Sequence, residues 1–556
     1  MQPELPDDRD KPTPQWTRPL EPPIHRAARK GDTTAMAALL AQGADINERA
    51  NLEHDNGPHL NGLTPLMVAA RSIDGATVET LRWLVEHGAD IHAESDGGNT
   101  AAWYAAGHGA RWAFHAKAIT PDHVERLRYL LDLGLDPKEC NFIGRSLITE
   151  ACEAGDPGRV ALLLERGAPS VTTDQPSRRP VMPQHITAML EAQGIGSQAD
   201  APIGTADSHQ IPLFCTARSG SAECVNLILA TGADPNTRDS SGGTALMAAG
   251  SAAVVRLLLD AGAHRDATDS YGKDAFETIL EGSCDSRGCG PERFEVAHAL
   301  IEAGIDIERV DQFGKTRLAS AAFGHRAESI EFLLRLGARP DVRDPSGDTP
   351  LHSICWQGEY DNAATNNACE QIIRSLVAAG IPVDATNHRG QTAMHEAAGG
   401  DWGNPTAIRT LLALGARVDT PDNGGTTPLM IAATMGETAC IKLLRDAGAD
   451  PLKHDELGHS ALDLAASHLE GWRGIVATGP NVSDAEREKK LIEERTQNVG
   501  GSVSATPPDL SSLLQEQKDR HADALVNAQE ALEVLKQAAA PPIPREDRSE
   551  RPTNGP

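Results

Sequence analysis

A leucine-rich run that closes on glycine recurs along this chain, as in MAALLAQG, LRWLVEHG, LRYLLDLG, VNLILATG, EFLLRLG and IKLLRDAG. The closing glycines are Gly43, Gly88, Gly134, Gly167, Gly232, Gly262, Gly304, Gly337, Gly380, Gly415 and Gly448. Three of their gaps, 134 to 167, 304 to 337 and 415 to 448, are 33 residues; the rest are 30 to 46, except one of 65. A degenerate run, ITAMLEAQGIG, has its closing glycine at Gly194 and would split that long gap. Each run is a single helical stripe, too short to bury its apolar face alone, so neighbouring copies must bury it for one another. The glycine marks a helix end, because a left-handed residue there satisfies the last carbonyls and glycine enters that region without steric cost.

A second punctuation lies between the runs. DSSGGTAL, DQFGKTRL, DPSGDTPL, NHRGQTAM, DNGGTTPL and DELGHSAL set Asp or Asn and a glycine ahead of a Thr or Ser. The Asp/Asn–Gly element is turn chemistry, and the hydroxyl after it starts a helix. The unit therefore reads as turn, short helix, short loop, second helix, glycine. A degenerate T-P-L-H-x-A is legible at Thr64–Met67, Thr244–Met247, Thr349–His352, Thr392–His395 and Thr427–Met430, and Pro22–His25 opens the array. In this order and period the chain resembles the ankyrin-repeat family over about residues 22 to 472. The resemblance implies an all-α fold, an ankyrin-repeat α-solenoid of about 11–12 helix-turn-helix repeats with short hairpin-like fingers, fingers and inner helices forming a concave face.

The expected organisation is a disordered, acidic and proline-rich N-terminus (1–20), N-terminal repeats (21–168), a degenerate repeat or break (169–208), C-terminal repeats (209–474), a polar helical tail (475–540) and a disordered C-terminus (541–556). Within the tail, SDAEREKKLIEERTQ and residues 510–537 read as helices. The second sets Leu514, Leu525, Ala528, Leu532 and Leu535 near one face, and Lys518 and His521 interrupt any heptad seam. It is expected to cap or tether the array; the competing expectation lays it in the concave groove as an autoinhibitor.

The net charge is −28, from 51 basic and 79 acidic residues. So acidic a chain is repelled by phosphate backbones, which disfavours nucleic acid and anionic membranes and favours a protein partner with a basic surface. No apolar run approaches the length of a membrane span, and MQPELPDDRDKPTPQ lacks the cationic and apolar parts of a secretory signal. A cytoplasmic monomer is expected. Nine scattered cysteines without paired spacing read as reduced core thiols.

The residues that could carry chemistry are few. Thr349, His352 and Cys355 lie together in SGDTPLHSIC, but Thr349 falls on a helix cap, Cys355 on a position where other repeats carry Ala70 or Ala433, and Met67, Met247 and Met430 replace the histidine elsewhere. The resemblance gives this histidine a structural hydrogen-bonding duty. FGKT lacks a glycine five residues before Gly314, GIGSQA follows a helix, and HEAAG lacks a second histidine. No catalytic residue, metal ligand or cofactor is assigned. The alternative reading, a metal-dependent or enzymatic regulator, rests on Cys284, Cys289, His108, His115 and His123 in inserted loops, with His298 downstream of the cysteine pair.

The period is broken mostly at one place, the link between the two helices: residues 107–125, 281–295, 356–371 and 399–407. A further insertion, 51–61, falls in a finger. Stacking sets the four inter-helix insertions along one edge, and insertions on one face often mark a binding face. Trp112, Phe114, Trp356, Tyr360 and Trp402 fall in them, with Trp103 just ahead of one. Aromatic side chains bury large area at low entropic cost. The expected function is a non-catalytic scaffold that binds another protein through the concave face and this edge.

Overall fold

One side-chain oxygen ties most fingers, and a Thr or Ser cap starts most first helices. Asp311 Oδ1 accepts from the backbone N–H groups of Phe313 and Lys315 at 2.8 and 2.9 Å, and Asp455 Oδ1 from those of Leu457 and His459 at 2.9 and 2.8 Å. The finger then closes on a single antiparallel bridge, as in Val310–Thr316 and His454–Ser460. Thr316 and Thr427 accept from the N–H three residues on, the expected N-cap geometry. At the far end of the pair, Gly448 has φ of 92°. A Cβ there would meet nothing within 4 Å, so glycine is required for its backbone conformation and not for space.

In this computed structural model the described residues are 21–50, 62–108, 121–141, 144–170, 210–282, 292–356, 363–400, 403–478 and 510–539. They belong to two compact units, Met1–Ile305 and Asp306–Pro556. Among the described residues all regular structure is helical, joined by isolated bridges. The all-α repeat architecture expected from the sequence is the one observed.

In the first unit the first helices are Pro23–Lys30, Pro65–Arg71, Ala101–His108 (ending in a π-helical turn), Leu147–Ala154, Pro212–Ser219, Ala245–Ala248 (a 3₁₀ turn) and Ala275–Glu281. Neighbours in this row pack on one another, and the second helices form a parallel row behind them. The long gap in the sequence does not interrupt the row. Leu147–Ala154 packs directly on Pro212–Ser219, and Pro157–Glu165 on Ala222–Ala230, although 46 residues separate Glu165 from Pro212. The 169–208 segment lies, from residue 171, outside the described residues. At the junction Arg218 pairs with Glu153 at 3.4 Å, and Arg145 with Glu150 at 2.8 Å, all well buried.

A buried arginine compensates where a first helix lacks its glycine end. Pro65–Arg71 runs into Ser72 in extended conformation, leaving its last carbonyls open. Arg126, buried in the second helix Pro121–Asp132, donates through Nη1 to the carbonyls of Ala69, Ala70 and Ser72 at 2.9, 3.2 and 2.8 Å, while Asp122 pairs with its Nε at 3.0 Å. Arg159 does the same for Ala106 at 3.1 Å.

In the second unit the first helices are Arg317–Phe323, Pro350–Cys355, Ala393–Gly399, Pro428–Met435 and Ala461–Thr478. The second helices are Ala327–Arg335, Ala363–Ala378, Pro405–Ala413, Thr438–Asp446 and, last, Leu510–Ala539. That last helix completes the final pair. It packs on Ala461–Thr478 as a second helix packs on its first, and on Thr438–Asp446 as second helices pack on each other. Ala528, Ala531, Val534 and Leu535 are buried beneath it, Lys442 meets Glu530 at 2.6 Å, and the Trp472 and His521 rings lie 5.8 Å apart. It stands in the row of second helices, not against the first-helix row where the groove reading would lay it. The other tail helix expected, SDAEREKKLIEERTQ, lies outside the described residues.

Two outcomes follow from this packing. Arg126→Met strands three carbonyls and Asp122, and is expected to cost about 2–4 kcal/mol of stability in urea unfolding, against under 1 kcal/mol for Arg128→Met on the exposed side. Truncation after residue 478 uncovers the last pair; the thermal midpoint of the second unit should fall by on the order of 10 °C, read by circular dichroism.

Candidate functional site

The Thr–His–Cys cluster of SGDTPLHSIC is a joint between repeats. Thr349 N–H donates to His352 Nδ1 at 3.1 Å, so Nε2 carries the proton and donates to the Gln391 carbonyl of the next finger at 3.1 Å. His395 repeats the arrangement with Thr392 N–H and the Thr426 carbonyl at 3.0 and 3.1 Å. In sibling repeats a methionine sulfur takes the place of Nδ1: Met67, Met247 and Met430 accept from the capping N–H at 3.5, 3.4 and 3.3 Å. Cys355 is fully buried, and burial pushes its thiol well above the ordinary range, so it is no nucleophile.

Burial also lowers the pKa of His352 and His395. A lowered folded value means the unfolded chain binds the proton first, so the stability they contribute is full above about 6.5 and is lost as pH falls below it. The double variant His352→Met, His395→Met should therefore flatten the acid-side loss of unfolding free energy between about pH 6.5 and 5, relative to wild type in the same urea titration.

The described residues of the alternative reading do not assemble. His123 is buried, its Nε2 against the Ser72 carbonyl at 3.4 Å, and burial with Arg126 and Arg159 nearby holds its pKa at about 4. His108 ends the Ala101–His108 helix, and His298 is exposed beside Glu302 at 3.3 Å. His115, Cys284 and Cys289 lie outside the described residues. Among the described residues no three His, Cys, Asp or Glu side chains are placed to hold a metal ion.

Of the edge aromatics, Trp112, Phe114, Tyr360 and Trp402 lie outside the described residues, and Trp356 lies within them. Trp103, grouped with them by sequence, is a core residue. It occupies the register of His352, three after the cap Thr100, and is 4% exposed with its ring edge-on to Tyr104. Trp356 is 44% exposed, one residue beyond the end of Pro350–Cys355. The insertion after it is partly helical. Ala363–Ala378 starts 17 residues before its closing glycine, where Thr438–Asp446 starts 10 before its own.

The second unit joins Trp356 to two side chains that the sequence reading passed over. Phe323, 38% exposed, stands seven residues after its cap Thr316, as Trp356 does after Thr349; Met435, 51% exposed, stands eight after Thr427. Register was the available signal, since both immediately precede the glycine that follows a first helix. Backbone approach makes the edge continuous. A Cβ on Gly400 would run into the Trp356 carbonyl, Gly403 N–H donates to the Gly400 carbonyl at 3.1 Å, and a Cβ on Gly403 would stand 3.3 Å from Glu437 Oε2. Trp356, the Gly400–Gly403 link, Glu437 and Met435 thus follow one another across three consecutive pairs.

Glu437 caps the Thr438–Asp446 helix by position but not by side chain, and among the described residues its carboxylate has no hydrogen-bond or ion-pair partner. Half-burial alone raises its pKa to about 7. Glu396 is also raised to about 7, by burial and then Asp348, against Arg389. Lys315 lies over the Phe323 ring at 4.7 Å. Such a surface can pack apolar groups and attract a cation.

A family model for ankyrin repeats (three copies) matches residues 24–115, 186–269, 361–455 and 401–482. Among known proteins, human "Transient receptor potential cation channel subfamily A member 1" is 26% identical over 455 residues, 80% of this chain and 35% of that protein. "Ankyrin repeat protein nuc-2" of Neurospora crassa is 28% identical over 237 residues, 38% and 21% of the two chains. The chicken "Nuclear factor NF-kappa-B p105 subunit" is 32% identical over 206 residues, 36% and 18%. The chain spans about a third or less of the length of these relatives.

Proposed function

The chain belongs to the ankyrin-repeat family, and we propose on that basis that it is a non-catalytic scaffold binding a partner protein through its concave face and the edge that carries the insertions. Repeats of this family generally serve protein–protein interaction. The observation that carries the finer reading is the exposure of Phe323, Trp356 and Met435 at matching ends of first helices, beside the insertions that hold Tyr360 and Trp402. Trp112 and Phe114 fall, by sequence, in the inter-helix insertion 107–125 of the first unit. A surface held by packed helices loses little conformational freedom on binding, so a few large side chains suffice as anchors.

The net charge of −28 favours a partner with a basic surface and disfavours nucleic acid. Among the described residues no helix is long and apolar enough to cross a membrane. We take the working state to be a cytoplasmic monomer without a cofactor.

Affinity capture from a cell extract with the wild-type chain beside the Trp356→Ala, Trp402→Ala double variant tests the reading. One specific partner should be lost from the variant while its circular dichroism and melting midpoint stay unchanged. Identical captures would sink the edge as the binding surface.

A further inference from the structure

We propose that the Trp356–Met435 edge receives an arginine or lysine of the partner on the Glu437 carboxylate, with apolar residues on either side of that cation packing on Trp356 and Met435. This rests on the edge being the binding surface and specifies the chemistry it selects. The occupant is a segment of a second protein in which a basic residue is flanked by large apolar ones.

Three observations converge. Trp356 and Met435 are exposed, apolar and held at fixed positions two pairs apart. Glu437, two residues after Met435, lies against the link that follows the Trp356 pair, its Oε2 3.3 Å from the Cβ position of Gly403, with no cation supplied by the described residues of its own chain. Elsewhere on the second helices the chain does supply one, as Lys442 for Glu530 and Arg374 for Glu370. A half-buried carboxylate without a partner is costly, and a cation arriving with a ligand removes that cost in a setting where water screens the pair less than on an open surface.

Among the described residues, the groups around Glu437 do not substitute for the missing cation. Cys440 lies on its own helix, its Sγ 2.7 Å from the Cβ position of Gly403. His468, on the following first helix, lies against Gly436; its Nε2 accepts the Trp472 N–H at 3.0 Å, and burial lowers its pKa. His468 is therefore uncharged at neutral pH. Lys442, further along the helix, is engaged by Glu530.

The pairing makes binding depend on pH with a fixed sign. Glu437 keeps its proton until about pH 7, and the partner's cation pairs with the ionised form, so binding expels a proton. Affinity is full above about 7 and declines below it, roughly tenfold between pH 8 and pH 6 for one coupled group.

The test is a selection of displayed random dodecapeptides against the full-length chain, followed by fluorescence anisotropy of the enriched peptides. Peptides that lose binding to Trp356→Ala should carry an arginine or lysine beside large apolar residues. Replacing that cation by glutamine, or Glu437 by glutamine (Glu437→Gln), should weaken binding about tenfold at pH 8 and remove the pH dependence. Met435→Ala should weaken binding equally at both pH values. Trp356-dependent peptides without a cation, or with a cation but indifferent to Glu437→Gln, overturn the charge assignment and leave the edge standing. No enriched peptide, or only peptides indifferent to Trp356→Ala, overturns the edge and this inference together.

Discussion

Most described helix pairs in this protein lean on an acceptor that sits three residues after a first-helix cap. A first helix of six to eight residues is below the length at which a helix holds itself together in water. What rescues it is a side chain that closes its own N-terminus and touches the next finger. His352 does both, through Nδ1 to Thr349 and Nε2 to Gln391, and His395 does both through Thr392 and Thr426. Methionine at Met67, Met247 or Met430 closes the N-terminus through sulfur but has no donor for the next finger, so those joints rely on packing and the finger bridges. The same position that invites a catalytic reading is therefore filled, in these repeats, by a histidine or methionine that accepts one backbone N–H.

Fingers and helix ends follow the same economy of partners. One carboxylate oxygen of Asp311, Asp422 or Asp455 takes two backbone N–H groups, and a backbone N–H of the following finger reaches back, as Asn423 does to the Arg389 carbonyl and Glu456 to that of Gly424, both at 2.9 Å. Where the usual glycine end is missing, the open carbonyls draw in Arg126 and Arg159, charged residues at a register filled elsewhere by Cys224, Val254 or Ile372. A buried guanidinium is tolerated because it satisfies several acceptors at once and keeps its own carboxylate.

These constraints leave one edge free to vary. The ends of first helices in the second unit are held by backbone approach, Gly400 against the Trp356 carbonyl and Gly403 against Glu437, while side chains there are unconstrained by the repeat. That freedom permits Trp356 and Met435 to stay exposed and Glu437 to go without a cation. Loops carried by a rigid scaffold are the usual place for recognition chemistry.

Local rules wrote most of the fold where it could be read. Closing glycines, finger aspartates and capping hydroxyls act within a few residues of themselves, so their spacing alone set the repeat, its register and the structural duty of His352. Insertions showed as departures from that register, which placed Trp356 at an edge. Tertiary structure decided what depends on partners far along the chain. Trp103 and Trp356 are alike in sequence, yet one fills a cap register in the core and the other passes the end of a helix. Leu510–Ala539 carries no closing glycine and follows Thr478 after 31 residues, so only packing on Ala461–Thr478 and Thr438–Asp446 makes it the final second helix. Likewise, the direct contact between Leu147–Ala154 and Pro212–Ser219 across the long gap, and the lone carboxylate of Glu437, depend on which surfaces meet, which spacing along a chain does not encode.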